Sequence, residues 1–442
     1  MKKRILNILF WSVISAAFIG PGTITTASKA GAEFGFSLLW ALVFSTIACL
    51  VLQEAVARIT IYSGSSLGEA IYKRYRNSSV KNIILVLIIG AIILGSAAYE
   101  TGNIMGAVAG IQFLLPWNNI FLVLIIGMLA FFALNLPSLR NIAQLMGYVV
   151  VIMGASFVTT AILLKPDIGE VLRGSFLPQV PGSQSSGILV LGLIGTTVVP
   201  YNLFLGSGIT DKSQSIKEMR FGLSIAIILG GLISMAVLIT GTFVEGNFSF
   251  EGLINTLDIT LGKFAVWIFG IGMLAAGFTS AVTAPLASAL TAKSLFYHKN
   301  NLKWSEKSLY FKTIWAGVLI IGIGFGLIGL KPIPVIILAQ ALNGLILPFI
   351  SIFLLIIIND PNIMGASKLN GLVSNCLLLM VVWITLILGI LNIFKAIQSF
   401  LPLNGLISNN IIGINFFIST MIWVSILIHV VKIRKKGLAK ED

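Results

Sequence analysis

Charged side chains are scarce in this sequence: Asp, Glu, Lys and Arg make up only 10% of its 442 residues, whereas soluble domains carry about a quarter. No stretch is polar enough, or long enough, to fold as a separate soluble domain. Hydrophobic residues make up 57%, and the mean hydropathy is +1.01. Because a membrane-spanning helix needs roughly 20 apolar residues, a chain of this length can hold about a dozen spans. The composition therefore indicates an all-α polytopic membrane protein.

Histidine and cysteine are also rare, with two of each. His298 lies in a predicted loop and His429 at the end of a span, while Cys49 and Cys376 lie inside apolar runs, where we expect them to pack. No disulfide framework or metal cluster is readable from these positions. An enzyme acting at membrane depth would need a His/Asp/Glu or Ser/Lys constellation there. The sequence has none, so we do not expect an enzyme.

Apolar runs predict twelve spans, with short loops between them. They fall at about 7–30, 35–63, 83–111, 119–136, 141–164, 186–210, 221–245, 263–292, 311–330, 333–358, 372–394 and 411–431. The N-terminal Met-Lys-Lys-Arg and the apolar run after it are interpreted as the first span, because no small-residue cleavage site precedes Gly20.

The basic residues fix the predicted orientation. With the N-terminus in the cytoplasm, 22 of the 29 lysines and arginines fall on the inner side and 5 on the outer side. This asymmetry predicts a protein of the cell membrane with both termini in the cytoplasm. The net charge of +14 is thereby explained by topology and contact with anionic lipid, and it does not indicate a nucleic-acid partner.

Two predicted spans are interrupted at positions that look equivalent. The first contains Gly20-Pro21-Gly22-Thr23, and the sixth contains Thr196-Thr197-Val198-Val199-Pro200-Tyr201-Asn202. Proline removes a backbone donor and opens a helix, and open backbone at membrane depth is tolerated only inside protein or beside a cavity. A pair of such breaks predicts the substrate site of a secondary transporter. Paired broken helices also favour alternating access over a channel; two proline kinks without a ligand are the alternative.

Ionisable residues inside the spans are few and therefore informative. Glu100 lies near the middle of span three without an obvious partner in sequence, which makes it the candidate for a proton or cation relay. Glu54 and Arg58 are four residues apart, as are Lys29 and Glu33, and both pairs are predicted to form local ion pairs on one helix face.

Several segments resemble the NRAMP divalent-metal transporter family. Ala30 to Trp40, Leu52 to Arg58 and Ser63-Gly64 are similar to the family's span two, and Ala275 to Thr283 to its span eight. Gln340, Leu347-Pro348-Phe349, Asn359-Asp360 and Met364-Gly365 are similar to its span ten. The resemblance covers about residues 10–370. It implies a single LeuT-type domain with inverted repeats over 1–164 and 186–358, broken helices one and six, and extra helices over 372–431. We expect a monomer.

The metal ligands of that family do not carry over. Its Asp-Pro-Gly-Asn motif aligns with Gly20-Pro21-Gly22-Thr23, and its Met-Pro-His motif aligns with Val199-Pro200-Tyr201. A second histidine aligns with Gly206, and the acidic pair of span three aligns with Glu100 and Asn103. The thioether that favours transition metals is therefore missing, and only one carboxylate remains.

Two substrates stay open. A hard cation that keeps several waters, such as Mg²⁺, suits neutral oxygen ligands better than Mn²⁺ or Fe²⁺ does, with Thr23 and Gln340 as candidate metal contacts. The alternative is a small carboxylate or amino-acid-like solute held at the helix N-terminus near Thr23. The predicted substrate residues are Gly20, Gly22, Thr23, Thr197, Val199, Tyr201, Asn202, Gln340 and Asn343.

The coupling ion is either Na⁺ or H⁺, and no cofactor is expected. Glu100 and Asn103 are the candidates for a proton pathway. The hydroxyls of Thr279, Ser280 and Thr283 on span eight are the candidates for a Na⁺ site against open carbonyls of span one. Packing between helices is an equally good interpretation of those three hydroxyls.

Overall fold

The structure is a computed structural model that describes residues 19–136, 140–181, 184–210, 212, 214–296, 302–400 and 405–438. Within these ranges the regular structure is helical and contains no strand, which confirms the predicted all-α class. The helices are α1 Pro21–Phe34, α2 Leu39–Ser63, α3 Leu67–Tyr75, α4 Lys81–Gln112, α5 Asn119–Asn135, α6 Arg140–Leu163, α7 Ile168–Phe176, α8 Gln184–Thr197, α9 Pro200–Ile209, α10 Ile216–Gly241, α11 Phe250–Leu261, α12 Ala265–Phe296, α13 Leu309–Leu327, α14 Pro332–Ile358, α15 Pro361–Met364, α16 Leu372–Phe400 and α17 Gly405–Leu438.

Ten helical runs in the described ranges are long and apolar enough to cross a membrane. One of them, Pro21–Ser63, has 43 residues and contains the second predicted span together with residues 21–30 of the first, and Asn119–Asn135 is a shorter apolar helix. The remaining predicted spans coincide with one run each. Large apolar side chains such as Phe132, Ile162 and Ile412 are exposed on the outer helices, where a bilayer would cover them.

The predicted break in span six is confirmed, and it is short. Helix α8 ends at Thr197 and α9 begins at Pro200, so only Val198 and Val199 leave helical geometry. Proline is favoured at the first position of a helix because the missing N–H has no intrahelical partner there. Helix α1 likewise begins at Pro21, with Gly20 in an extended conformation before it. Residues 1–18, which include the first part of span one, lie outside the described residues.

Close packing at small residues joins α4 and α12, which lie beside the broken helices. Helices α4 and α12 approach so closely that a Cβ atom on Gly110 would lie 2.6 Å from the carbonyl oxygen of Gly270. One on Gly277 would lie 2.6 Å from the carbonyl oxygen of Asn103. Backbone contact through glycine is typical of membrane helices, where packing and hydrogen bonds replace the hydrophobic effect. Helices α4 and α12 thereby pack tightly against each other beside the two breaks.

At one end of the bundle, a polar network ties the C-terminal helix to the core. Arg434 of α17 donates to Asn359 Oδ1 at 2.7 Å and to the carbonyl oxygen of Asn370 at 2.8 Å. Arg58 donates to the Asn370 side chain and, at 3.1 Å, to Glu54. Glu54 also accepts from Arg220 at 2.7 Å. Extra helix α17 is therefore fixed to α2, α10 and the loop after α14.

Candidate functional site

The two breaks lie side by side in the interior. The hydroxyl oxygens of Thr23, in the first turn of α1, and Thr196, in the last turn of α8, are 2.8 Å apart. Both side chains are fully buried. The hydrogen bond therefore joins the segment after the first break to the segment before the second, as two half-helices that share one site require.

Gln340 of α14 completes the centre of this region. A Cβ atom on Gly22 would overlap the Gln340 side-chain amide, which therefore lies directly on the α1 backbone. Gln340 has no solvent exposure, and within the described residues neither its Nε2 nor its Oε1 has a hydrogen-bond partner. Buried amides are normally satisfied. A buried donor and acceptor at a helix break therefore point to a polar ligand.

The second amide of the site is Asn202, in the first turn of α9. Its backbone carbonyl accepts from Gln53 Nε2 at 3.4 Å, whereas its side-chain Oδ1 and Nδ2 have no partner among the described residues. Next to it, the rings of Tyr201 and Tyr99 meet edge to face with centroids 5.5 Å apart. Gln340 and Asn202 thus supply two amides whose hydrogen-bonding capacity is unused.

Neither half-helix is capped by a side chain. The residues before them, Gly20 and Val199, make no side-chain hydrogen bond to the first turns of α1 and α9. The first N–H groups of a helix lack intrahelical partners and carry partial positive charge. Two uncapped N-termini therefore lie in the interior, next to the neutral amides of Gln340 and Asn202.

The described residues contain no group of three His, Cys, Asp or Glu side chains able to hold a metal ion. A cation at this site would meet hydroxyls, amides and backbone carbonyls.

Glu100 lies to one side of the breaks, on α4 where it packs against α13. A Cβ atom on Gly322 of α13 would lie 2.5 Å from Glu100 Cγ. The carboxyl group is fully buried, and its two oxygens have no hydrogen-bond partner in the described part of the chain. Asn103 is also buried, with its Nδ2 unpaired. The side chain next in sequence, Tyr99, contacts Tyr201 at the site.

The three hydroxyls of span eight differ in their surroundings. Thr279 donates to the carbonyl of Ala275 at 2.9 Å and Thr283 to that of Thr279 at 2.8 Å, so both serve their own helix. Ser280 faces the first break, since a Cβ atom on Gly20 would lie 3.4 Å from its Oγ. That these hydroxyls form a Na⁺ site stays a prediction. Of the three, Ser280 is the best placed, because it faces the first break.

Asn343 and Thr197 donate hydrogen bonds to helix carbonyls outside the two breaks. Asn343 donates to the carbonyl of Gly95 at 3.3 Å and to that of Ala339 at 3.1 Å, and Thr197 donates to Leu193 within α8 at 3.0 Å. Both ion pairs predicted beside the spans are confirmed, Lys29 with Glu33 at 2.7 Å and Glu54 with Arg58 at 3.1 Å.

Three residues that the structure adds to the site were not among the predicted site residues. They are Tyr99, Thr196 and Gln53. Thr196 and Tyr99 lie next to the predicted Thr197 and Glu100, and only the packing of α1 and α9 shows which neighbour faces the site. Gln53 is positioned through a contact to α9, 149 residues away in sequence.

Comparison with known proteins agrees with this geometry. A family model described as natural resistance-associated macrophage protein-like matches residues 12–395. The divalent metal cation transporter MntH of Deinococcus radiodurans is 27% identical over 383 residues, which cover 82% of this chain and 84% of that one.

Solved structures with the same fold include the Eremococcus coleocola manganese transporter, with a TM-score of 0.73 and 20% identity over 99% of this chain and 95% of that one. Mhp1, a nucleobase-cation-symport-1 family transporter, superposes with a TM-score of 0.55 and 14% identity over 96% of this chain and 92% of that one. These likenesses establish the fold.

Proposed function

Because the chain belongs to the natural resistance-associated macrophage protein (NRAMP) family, we propose that it is an ion-coupled secondary transporter for a hard, partly hydrated metal cation such as Mg²⁺. The relatives in this family include a divalent metal cation transporter and a manganese transporter. Membership of the family supports a metal cation as the substrate, and the neutral side chains of the site support a hard cation within that class.

The observation that carries the proposal is the Gln340 amide, buried on the backbone of Gly22 with both polar atoms unpaired in the described residues. A dehydrated dication in a site without carboxylates has a large desolvation cost. Mg²⁺ releases its waters reluctantly and usually keeps several of them. Its bound waters would donate to Gln340 Oε1 and Asn202 Oδ1, so that neutral amides suffice.

A second candidate is a small carboxylate or amino-acid-like solute, which the two uncapped helix N-termini favour. The N–H groups at the start of α1 and α9 are anion-binding groups, and the alignment places Gly20 where the family has an aspartate. The amide donors of Asn202 and Gln340 would then bind the solute.

We also propose that both termini are cytoplasmic. Basic residues from distant parts of the chain meet at one end of the bundle: Lys212 donates to the Gly64 carbonyl at 2.6 Å, Arg74 pairs with Asp360 at 2.7 Å, and Arg434 bonds to Asn359 at 2.7 Å. This supports the positive-inside assignment. Accessibility labelling of single cysteines introduced at Lys435 and Lys263 tests the orientation, with Lys263 expected outside.

Uptake into proteoliposomes distinguishes the two substrates. Mg²⁺, Mn²⁺ and a panel of carboxylate solutes are compared, each with and without Na⁺ and pH gradients, in vesicles with wild-type protein and in empty vesicles. Robust Mg²⁺ uptake that no solute inhibits supports the proposal of a metal cation and contradicts that of a carboxylate solute. Solute uptake without movement of either metal overturns the proposal of a metal cation. Calorimetry with Mg²⁺ in detergent gives a first comparison.

A further inference from the structure

A cavity of about 400 Å³ opens at the basic end of the bundle, where α3, α15 and α17 meet. Three cations line it, Arg74 from α3 and Lys432 and Lys436 from α17, together with His429 and the carboxylate of Asp360. None of these residues belongs to the helix breaks or to the proposed transport site.

The single carboxylate in this cavity is already compensated. Asp360 Oδ2 lies 2.7 Å from Arg74 Nε, and its Oδ1 accepts from the backbone and side-chain nitrogens of Asn362 at 2.9 and 3.0 Å. Lys432 and Lys436 take part in none of the ion pairs found among the described residues. Two lysine charges therefore remain uncompensated, and the cavity should attract an anion.

An apolar groove of about 370 Å³ continues from the cavity along α17. It is lined by Ile356 of α14 and by Met421, Ile422 and Ile426 of α17, and His429 lines both the groove and the basic cavity. Spacings of three and four residues put Ile422, Ile426, His429, Lys432 and Lys436 on one helix face. Met421 is 55% exposed, so the groove is open on the surface that faces lipid.

We propose that this cavity and groove bind one anionic phospholipid, with its phosphate between Arg74, Lys432 and Lys436 and an acyl chain along Ile356, Met421 and Ile426. A soluble phosphate would leave the groove empty, and a zwitterionic lipid would leave the lysine charges uncompensated. Basic cavities at the ends of membrane helices are suited to lipid headgroups. The assignment to the inner leaflet rests on the proposed orientation, whereas the binding itself does not.

Native mass spectrometry of the full chain, delipidated in detergent, tests the proposal. Phosphatidylglycerol, phosphatidylcholine and inorganic phosphate are titrated separately. The charge variant is Lys432→Gln/Lys436→Gln, and its matched control is Lys435→Gln, a neighbouring lysine of the same helix that does not line the cavity. The groove variant is Ser425→Trp, which fills the groove, and its control is Ile428→Trp, at a position 49% exposed outside the groove.

The wild type should retain one phosphatidylglycerol that phosphatidylcholine does not replace. Because each basic side chain near an anionic headgroup is worth about a fivefold change in affinity, the double lysine variant should bind about 25-fold more weakly. The tryptophan variant should lose the same lipid, and both controls should keep it. Equal retention by variants and controls would overturn the proposal, as would displacement of the lipid by inorganic phosphate. Since no step requires transport, a failure here is distinct from a failure of the proposed cargo.

Discussion

The side-chain amide of Gln340 lies on the backbone of Gly22, so that the residue after the first break leaves no room for a Cβ atom. Gly22→Ala should therefore displace Gln340 and reduce substrate uptake at least tenfold. Overpacking of a well-packed interior costs about 1–3 kcal/mol, so the protein should still fold. Gly90→Ala is the matched control, because a Cβ atom there meets nothing within 4 Å. Uptake normalised to monodisperse protein is the measurement. Unchanged uptake by Gly22→Ala would remove Gln340 from the site.

Gly20, two residues before Gly22, has room for a Cβ atom. Its backbone is extended, with φ −96°, and a Cβ atom would lie 3.4 Å from Ser280 Oγ. Gly20→Asp should strengthen Mn²⁺ binding, because a carboxylate offsets the desolvation of a dication. An increase in Mn²⁺ affinity of at least tenfold is expected by calorimetry.

Gly20→Asn is the control for this change, since it adds the same volume without charge. Equal Mn²⁺ binding by both variants would show that space, and not charge, determines the selectivity. Mn²⁺ flux in Gly20→Asp, in a protein whose wild type moves neither Mg²⁺ nor Mn²⁺, would favour the carboxylate solute as the natural cargo.

The sequence predicted those parts of the fold that depend on local chemistry. Long apolar runs defined the spans, Pro21 and Pro200 marked the starts of the half-helices, and four-residue spacing identified both ion pairs. Contacts between distant helices could not be read in this way. Whether Thr196 or Thr197 faces α1 depends on the rotation of α8, which an almost uniformly apolar helix does not reveal. The direction of Asn343 toward Gly95 likewise follows from how α14 packs on α4.

Arg434 should contribute to the stability of the protein through two hydrogen bonds. It donates to Asn359 and to the Asn370 carbonyl, and hydrogen bonds of charged groups contribute about 1.5–3 kcal/mol when buried. Because Arg434 is only half-buried, we expect Arg434→Gln to lower the free energy of unfolding by about 1–2 kcal/mol. Thermal unfolding in detergent measures this effect, with the exposed neighbour variant Lys435→Gln as the control. An identical unfolding temperature for both variants would show that the network does not hold α17.

A substitution at Glu100 best distinguishes a role in transport from a role in packing. Its carboxyl group is fully buried, and both oxygens are unpaired among the described residues, so the fold gains little from the acid. Glu100→Gln keeps the shape and removes the titratable group. We therefore expect an unfolding temperature equal to or above that of the wild type, together with loss of proton movement during substrate uptake.

A pH-sensitive dye inside proteoliposomes reports the proton flux, and labelled substrate reports uptake in the same vesicles. Glu33→Gln is the control, because Glu33 pairs with Lys29 at 2.7 Å and is partly exposed; its uptake and proton flux should match the wild type. If Glu100→Gln retains full proton-driven uptake, the carboxyl group is not the relay. If uptake by the wild type follows a Na⁺ gradient and moves no protons, coupling through Na⁺ at Ser280 is the better hypothesis, since Ser280 faces the first break.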